Sequence, residues 1–459
     1  MAAKAEKVIV PMTTNFVDAE YAVFGLGKTG LSCARFLARR GFDFAVIDTR
    51  DDPPQLANLK ESLADVVVIT GATSPRVIGR CQHVVLSPGI SRDHPIVTAA
   101  IERGIEVIGD IELFARHARA PVVAVTGSNG KSTVVTMVSE ILSAAGLDVR
   151  SGGNLGTPAL DLLYRGDPDC YVLEVSSFQL ESTGSLAPKV ACILNVSPDH
   201  MDRYIDMSSY LATKTRIYEH AEVVVLNMDD GMLKQLRPNC ETRRISSGLC
   251  ETTRYRLDQH DGELWLVAAG EEFMRADDLI LLGKHNCMNA LAAVAITDKL
   301  SVPREVQKRV LRAFRGLSHR CQTIATKSGI DWIDDSKGTN VGATCAAIRS
   351  VFSGRPGVLI AGGQGKGADF NALAAAVEGR VHDVILIGQD ARVIAASLDG
   401  RVDVHFALDM HSAVAAARLL ARRGEAVLLS PACASFDMFD NFEARGRAFI
   451  DAVEEISSP

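Results

Sequence analysis

Aromatic residues make up only 5% of this 459-residue chain, too few for a base-stacking platform. Nor is there an excess of basic charge. The formal net charge is −7 and the Lys and Arg residues are scattered, with Arg39-Arg40 placed at a helix end. This excludes nucleic acid and anionic membranes as the main partner. The ten cysteines stand singly, at Cys33, Cys81, Cys170, Cys192, Cys240, Cys250, Cys287, Cys321, Cys345 and Cys433. With no Cys-x-x-Cys pair, neither a structural zinc site nor a thioredoxin-like site is expected, and most of them read as small buried residues in a reducing compartment. No apolar run reaches the roughly 18 residues of a spanning helix. The first ten residues also lack the apolar stretch of a signal peptide, so a soluble cytoplasmic protein is expected. There is no low-complexity segment and no internal repeat.

With 47% hydrophobic residues, the chain has apolar material for several cores, and its length suggests about three domains. β-rich apolar runs alternate with amphipathic helical runs, the pattern of parallel α/β sheets. Strands are expected at Tyr21–Phe24, Phe44–Ile47, Val66–Ile69, His83–Leu86 and near Ile108, with a helix over Leu31–Arg40. They form an N-terminal nucleotide-fold domain over residues 1–110. A central domain over 111–316 has strands at Pro121–Val125, Tyr171–Glu174, Val190–Asn195 and Glu222–Asn227, and helices at His285–Leu300 and Pro303–Phe314. Residues 237–283, short and polar, read as a small antiparallel insertion. A third domain over 317–459 has strands at Trp332–Asp334, Gly357–Ala361, Asp383–Ile387 and Ala426–Leu429, and a helix over Met410–Arg422.

The most informative string is Thr126-Gly127-Ser128-Asn129-Gly130-Lys131-Ser132-Thr133, set between a strand run and a helix run. A glycine-rich turn there aims backbone N–H groups and the helix dipole at a phosphate chain. Lys131 adds a point charge and the Ser132 hydroxyl can hold Mg²⁺. The usual spacing has a glycine where this chain has Val125, so the loop is a shortened variant. Glu174 ends a strand beside this loop, the usual position of a Mg²⁺ ligand. The turn Gly25-x-Gly27-x-x-Gly30 with Asp48 at the next strand end matches a dinucleotide fingerprint, but the same helix start can hold any pyrophosphate. Ser87-Pro88-Gly89 is a further turn on that sheet's carboxyl edge.

Other strand exits are less specific. Taken alone, His200 in Asn195–His200 is as readily structural as a ligand, and Lys214 in a helical run reads as a surface lysine. Asp334–Asn340, Gly362–Gly367 and Ser430–Ser435 put polar or cationic groups at three strand ends of one sheet, where anionic substrates dock. Cys433 reads as a packing residue, because no partner motif accompanies it as a nucleophile.

Together these motifs resemble the Mur ligase family of ATP-dependent amide-bond-forming enzymes along essentially the whole chain. The strings that carry the resemblance are Gly25–Ser32, the Thr126–Thr133 loop, Gly152–Gly156, Leu173–Leu180, Asp199–Tyr204, Asp335–Lys337 and Ser430–Ser435. The similarity is greatest to the branch that adds D-glutamate to UDP-N-acetylmuramoyl-L-alanine. The fold it implies is three α/β domains: an N-terminal Rossmann-like domain for UDP, a central P-loop ATPase-like domain with a mainly parallel sheet and a small antiparallel insertion, and a C-terminal Rossmann-like domain for the amino acid. By resemblance, Gly25, Gly27, Thr29, Gly30, Asp48, Thr49 and Arg50 hold UDP, with Ser87, Pro88, Gly89 and Asn154 along the sugar and diphosphate. ATP would be held by Gly127, Ser128, Asn129, Gly130, Lys131, Ser132, Thr133, Asn289, Arg320 and Asp335. Two Mg²⁺ ions are implied, one on Ser132 and Glu174 and one on His200 and Lys214, with Lys214 carbamylated. Lys337, Thr339, Lys366, Ser435 and Phe442 would line the D-glutamate site. The catalytic residues would be Lys131, His200 and Lys214.

The chain departs from the family pattern at Lys284, in place of a more usual Gln, at Gly338, where Ala is common, and at Met438. None removes a proposed functional group. Nothing in the sequence demands more than a monomer. The rival readings are a sister ligase with another amino acid, a nicotinamide-dependent dehydrogenase suggested by Gly25–Gly30 and Asp48, and a non-catalytic nucleotide-binding module. The dehydrogenase leaves the phosphate loop, Glu174 and His200 unexplained, and a binding module would not need so many polar groups at strand ends in two further domains.

Overall fold

The computed structural model describes residues 16–247, 253–281, 283–398 and 400–456. Cys250 lies outside the described residues. The chain divides into two compact units. One comprises the described residues up to Pro121 together with Arg150–Pro168 and Leu173–Ala187; the other comprises the remainder.

In the first unit, β1 (Tyr21–Phe24), β2 (Phe44–Ile47), β3 (Val68–Ile69), β4 (His83–Leu86) and β5 (Glu106–Gly109) alternate with α1 (Lys28–Arg40), α2 (Leu56–Ser62) and α3 (Pro95–Glu102). Helix α4 (Asp110–Ala115) follows β5 directly. The strands pair in parallel in the order β3-β2-β1-β4-β5. Parallel register aligns Phe24 with Ile47 and Leu86, so Gly25, Asp48 and Ser87 leave the sheet along one edge. The helix begins three residues earlier than its sequence suggests, because the turn glycine Gly27 is already its N-cap. Arg39 and Arg40 occupy its last turn, beside the partial negative charge of the helix end.

The middle of the chain supplies β6 (Val122–Thr126), α5 (Lys131–Ala144), β7 (Val149–Gly153), β8 (Cys170–Glu174), α6 (Ser177–Leu180), β9 (Val190–Ile193), α7 (Met207–Thr215) and β10 (Val223–Asn227). Then come β11 (Glu241–Ser246), β12 (Tyr255–His260), β13 (Glu263–Ala268), β14 (Glu271–Arg275), α8 (Lys284–Lys299) and α9 (Arg304–Ala313). The sheet order is β14-β13-β12-β11-β10-β9-β6-β8-β7. The expected antiparallel insertion is an extension of this sheet. β11 pairs in parallel with β10 and with β12, and β13 runs antiparallel to both β12 and β14. Helices α5 and α8 share one core, where Val134, Val138, Ile141 and Leu142 join Leu291 and Val294. Each such side chain contributes about 1.5–3 kcal/mol by leaving water.

The last part holds β15 (Gln322–Lys327), β16 (Ile330–Asp334), α10 (Val341–Val351), β17 (Gly357–Gly362), α11 (Asn371–Val377) and β18 (Val381–Ile387). It ends with α12 (Ala391–Ser397), β19 (Asp403–Phe406), α13 (Met410–Leu420), β20 (Ala426–Leu429) and α14 (Phe442–Glu454). The order is β15-β16-β20-β17-β18-β19, with β15 antiparallel and the rest parallel. Alternate residues of β17 face opposite cores. Leu359 and Ala361 pack on one side and Val358 and Ile360 on the other, as a sheet covered by helices on both faces requires. Asp334 and Ile360 both align with Leu429, so Asp335 and Ser430 emerge together at one edge, beside the end of β17.

Candidate nucleotide and acceptor sites

In the first unit the turn after β1 is shaped by close approach. A Cβ on Gly30 would collide with the Gly25 carbonyl, so only glycine lets α1 start so close to the strand exit. Ser87 Oγ donates to that same carbonyl at 2.7 Å. Gly27 caps α1 without a side-chain partner, which leaves first-turn N–H groups for an anion. Asp48 is buried and accepts from Leu26 N (2.7 Å), Arg50 N (2.9 Å) and the Arg50 guanidinium (2.7 Å to Nη2). Burial pushes its pKa up, but the Arg50 and N–H hydrogen bonds outweigh burial and hold the carboxyl below its ordinary range. Thr29 is half-buried, and Thr49 and Arg50 are exposed at the same edge. Pro88 and Gly89 continue the turn opened by Ser87, whose carbonyl accepts from Ile90 N at 3.0 Å. Asn154 donates from its backbone to Glu174 O and from its side chain to Glu174 Oε1, both at 2.8 Å.

In the second unit the phosphate loop joins β6 to α5. Gly127 and Gly130 have φ of +151° and +86°, and Gly130 caps the helix without a side-chain partner. Asn195, at the exit of β9, clips the loop at both ends of one residue. Its Oδ1 accepts from Asn129 N at 2.8 Å and its Nδ2 donates to Asn129 O at 3.0 Å. Ser128 Oγ donates to Ser197 O and accepts from Ser197 N, each at 3.0 Å. The Lys131 ammonium folds back on its own loop, donating to Gly127 O (2.7 Å) and Ser128 O (3.0 Å).

The loop lines a cavity of about 380 Å³, within the range of small-molecule sites. Asn129, Gly130, Thr133, Asn289, Arg320 and Asp335 are on its wall. Arg320 Nη2 donates to Ser132 Oγ at 2.9 Å, so a guanidinium from beyond α9 reaches the loop. Asp335 accepts from Ser430 Oγ (2.7 Å) and Cys321 N (3.2 Å). Burial lifts its carboxyl to a pKa of about 7, against the pull of Ser430 and Arg320. A Cβ on Gly338 would lie 2.6 Å from both Asp335 Oδ2 and Ser430 Oγ, so the glycine here fits that tight pair.

Lys214 is not the surface lysine its helical run suggests. It is only 2% exposed, with Nζ 4.5 Å from the centroid of Tyr210. Burial drives its pKa well down, Lys131 adds to the effect and Asp199 opposes it. His200 has φ +59°, and burial lowers its pKa against the pull of Asp199, 3.7 Å away. Lys366, at φ +52°, is among the charges acting on His200. Such strained backbone gathers at functional sites.

Around the expected acceptor site, Lys337 Nζ lies 3.9 Å over the Phe442 ring. Thr339 is half-buried and Ser435 is buried. Arg445, 1% exposed, ties the walls together by donating to Ser336 Oγ (3.1 Å), Ser336 O (2.8 Å) and Cys433 O (3.1 Å). Cys433 is buried, and desolvation raises its thiol to a pKa of about 12, which fits a packing residue. Of the nine described cysteines seven are buried, and Cys240 and Cys321 are half-buried. Lys284 opens α8, and Met438 packs on the core of the third sheet. Asn195 and Asn340 lie in strand exits that the sequence singles out but carry no role of their own there, and Arg445 is not singled out at all; an asparagine just before a helical run was the one usable signal, for Asn340.

Family models match most of the chain: a MurD-like N-terminal domain of Mur ligases over residues 19–109, a Mur ligase middle domain over 125–297 and a Mur ligase glutamate ligase domain over 319–433. The chain belongs to the Mur ligase family. It is 48% identical to the UDP-N-acetylmuramoylalanine--D-glutamate ligase of Nitrosococcus oceani, over 96% of this chain and 98% of that one. It is 46% identical to the enzyme of the same name from Pseudomonas aeruginosa, over 95% and 98%. Among solved structures, UDP-N-acetylmuramate-alanine ligase MurC of Thermotoga maritima matches with a TM-score of 0.61 at 18% identity, over 96% of this chain and all of that one. A pseudomurein peptide ligase type C of Methanothermus fervidus matches at 0.63 and 19%, with the same coverage. At that identity the two structures speak for the fold alone.

Proposed function

We propose that this chain is an ATP-dependent ligase that joins D-glutamate to UDP-N-acetylmuramoyl-L-alanine. The observation that carries the chemistry is the shortened phosphate loop opening α5 on a cavity whose wall also holds Asn289, Arg320 and Asp335. The names of the near-full-length relatives carry the choice of amino acid. Domains at 1–110, 111–316 and 317–459 would serve UDP, ATP and the amino acid. The first-unit turn and Asp48 would bind UDP, in place of the dehydrogenase reading, which has no use for the phosphate loop.

Ser132 and Glu174 would offer Mg²⁺ the oxygen ligands that a hard cation prefers. Bound there, Mg²⁺ would neutralise phosphate oxygens. His200 and Lys214 would serve a second ion. The Lys214 environment favours a neutral amine, the form that adds CO₂ and loses a proton to become a carbamate.

With ATP in the cavity, Lys131 would turn from its loop carbonyls to the β- and γ-phosphates. The substrate carboxylate attacks the γ-phosphorus and ADP leaves, giving an acyl phosphate. The D-glutamate amine, its carboxylates held by Lys337 and Lys366 beside Thr339, Ser435 and Phe442, attacks the acyl carbon. The tetrahedral intermediate then expels phosphate. Closure of the domains would keep water from the acyl phosphate. The chain would work as a monomer. Substrate whose terminal carboxylate carries heavy oxygen tests this route. One labelled oxygen should appear in the released phosphate; unlabelled phosphate would overturn it.

A further inference from the structure

Asn340 caps α10, its Oδ1 accepting from Ala343 N at 2.9 Å. The same side chain exchanges two hydrogen bonds with Asn129 of the phosphate loop. Asn129 Nδ2 donates to Asn340 Oδ1 at 3.3 Å, and Asn340 Nδ2 donates to Asn129 Oδ1 at 3.1 Å. Its second N–H reaches Asp199 Oδ2 at 3.3 Å, next to His200. The amide thus uses both acceptor sites and both donors, and it is 8% exposed. Asn129 is itself clipped by Asn195 on its backbone. One side chain therefore connects the phosphate loop, the His200 segment and the start of α10, one residue after the Lys337–Thr339 stretch.

The other common capping side chains do not serve both roles. Serine caps a helix as well as asparagine but is too short to pair with Asn129. Aspartate caps too, but has no donor for Asn129 Oδ1 and places a second carboxylate beside Asp199.

We infer that Asn340 is a positioning residue that couples filling of the phosphate loop to the placement of the acceptor stretch Lys337–Thr339. The inference rests on the ligase reading above. A nucleotide that orders Asn129 would, through this amide pair, also order the segment that receives the amino acid, and by linkage the amino acid would tighten nucleotide binding equally.

The test uses the full chain with Asn340→Ser, Asn129→Ala and both together. Calorimetry reads ATP affinity without turnover, kinetics read KM for each substrate, and thermal melting reads the fold. The Asn340→Ser midpoint should stay within about 2 °C of wild type, since the cap survives. ATP affinity should fall about tenfold, the effect of two modest hydrogen bonds. KM for D-glutamate should rise with it, while KM for the UDP substrate, whose turn lies elsewhere, stays put. The double variant should lose no more than the worse single variant, because the two residues act as one unit. Unchanged ATP affinity in Asn340→Ser, or losses that multiply in the double variant, would overturn the inference and leave the ligase reading standing. Should serine lower the midpoint, Asn340→Asp repeats the measurement with its cap intact, and wild-type affinity there has the same consequence. A wild-type chain that binds no ATP would overturn both.

Discussion

Replacing Lys214 with methionine separates a cost in stability from a role in chemistry. The lysine stem is packed at 2% exposure beside Tyr210, whose hydroxyl is 3.4 Å from Ser128 Oγ in the phosphate loop. Burial, then the charge of Lys131, depresses its pKa well below the usual lysine value. The folded chain therefore binds fewer protons here than the unfolded chain does, from that depressed value up to about pH 10.4. Across that window the site's stability contribution rises with pH, by about 1.36 kcal/mol per unit, and below it the full penalty applies. Methionine keeps the stem's volume and removes the titrating group. In buffer freed of carbon dioxide, Lys214→Met should melt no lower than wild type at pH 7, and its stability should lack the rise toward alkaline pH. In buffer that holds carbon dioxide, its turnover should fall by at least about 10²-fold, since the proposed carbamate's metal-binding oxygen would be gone. In Lys214→Ala, formate or acetate should restore part of the activity by entering the vacated space. Denaturant unfolding from pH 6 to 10 and a phosphate-release assay give both readings. Near-normal turnover of Lys214→Met would refute the role in chemistry, and a sharply lower midpoint at pH 7 would refute the buried-charge argument.

Lys131→Ala should lower turnover by at least roughly 10²-fold, as loss of a preorganised charge at the reacting centre does, and near-normal turnover would remove Lys131 from the mechanism. Asn195→Ala deletes both clips on Asn129 and should weaken ATP binding about tenfold by calorimetry. Asp335, raised to a pKa of about 7 by burial, contributes stability that is full below about pH 3.9 and lost as pH rises through 7. Asp335→Asn should flatten that fall in ligand-free unfolding curves, and an unchanged slope would mean the carboxyl ionises normally. Cys433→Ala should keep turnover within about twofold, because a buried thiol with its pKa raised to about 12 is a packing group; a loss near 10²-fold would make it a nucleophile after all.

Parallel strands buried on both faces are uniform apolar runs, which is why β1, β2, β4 and β20 stand where the sequence places them. The strands it leaves out are polar ones. Gln322–Lys327 and Asp403–Phe406 sit at the two edges of the third sheet, partly exposed, and carry too little apolar alternation to stand out. β11 was legible as irregular but not as parallel, since strand direction depends on the long connection from β10. At the site, the glycines and Lys131 announce themselves by spacing. Asn195 and Asn340 do not, because an asparagine that braces a loop is identified by its partners, and those lie 66 and 211 residues away. Lys214 is the sharpest case: a helical run with a single lysine says nothing about burial. The turn Gly25–Gly30 reads in sequence as a candidate pyrophosphate cradle and is silent on which nucleotide it would take.

The most direct test measures phosphate release from ATP and Mg²⁺ with UDP-N-acetylmuramoyl-L-alanine and each candidate amino acid in turn. D-glutamate should support release and L-glutamate, glycine, L-alanine and diaminopimelate should not. Release that depends on another amino acid would make the chain a sister ligase, and NADH oxidation without D-glutamate-dependent release would contradict the ligase assignment itself.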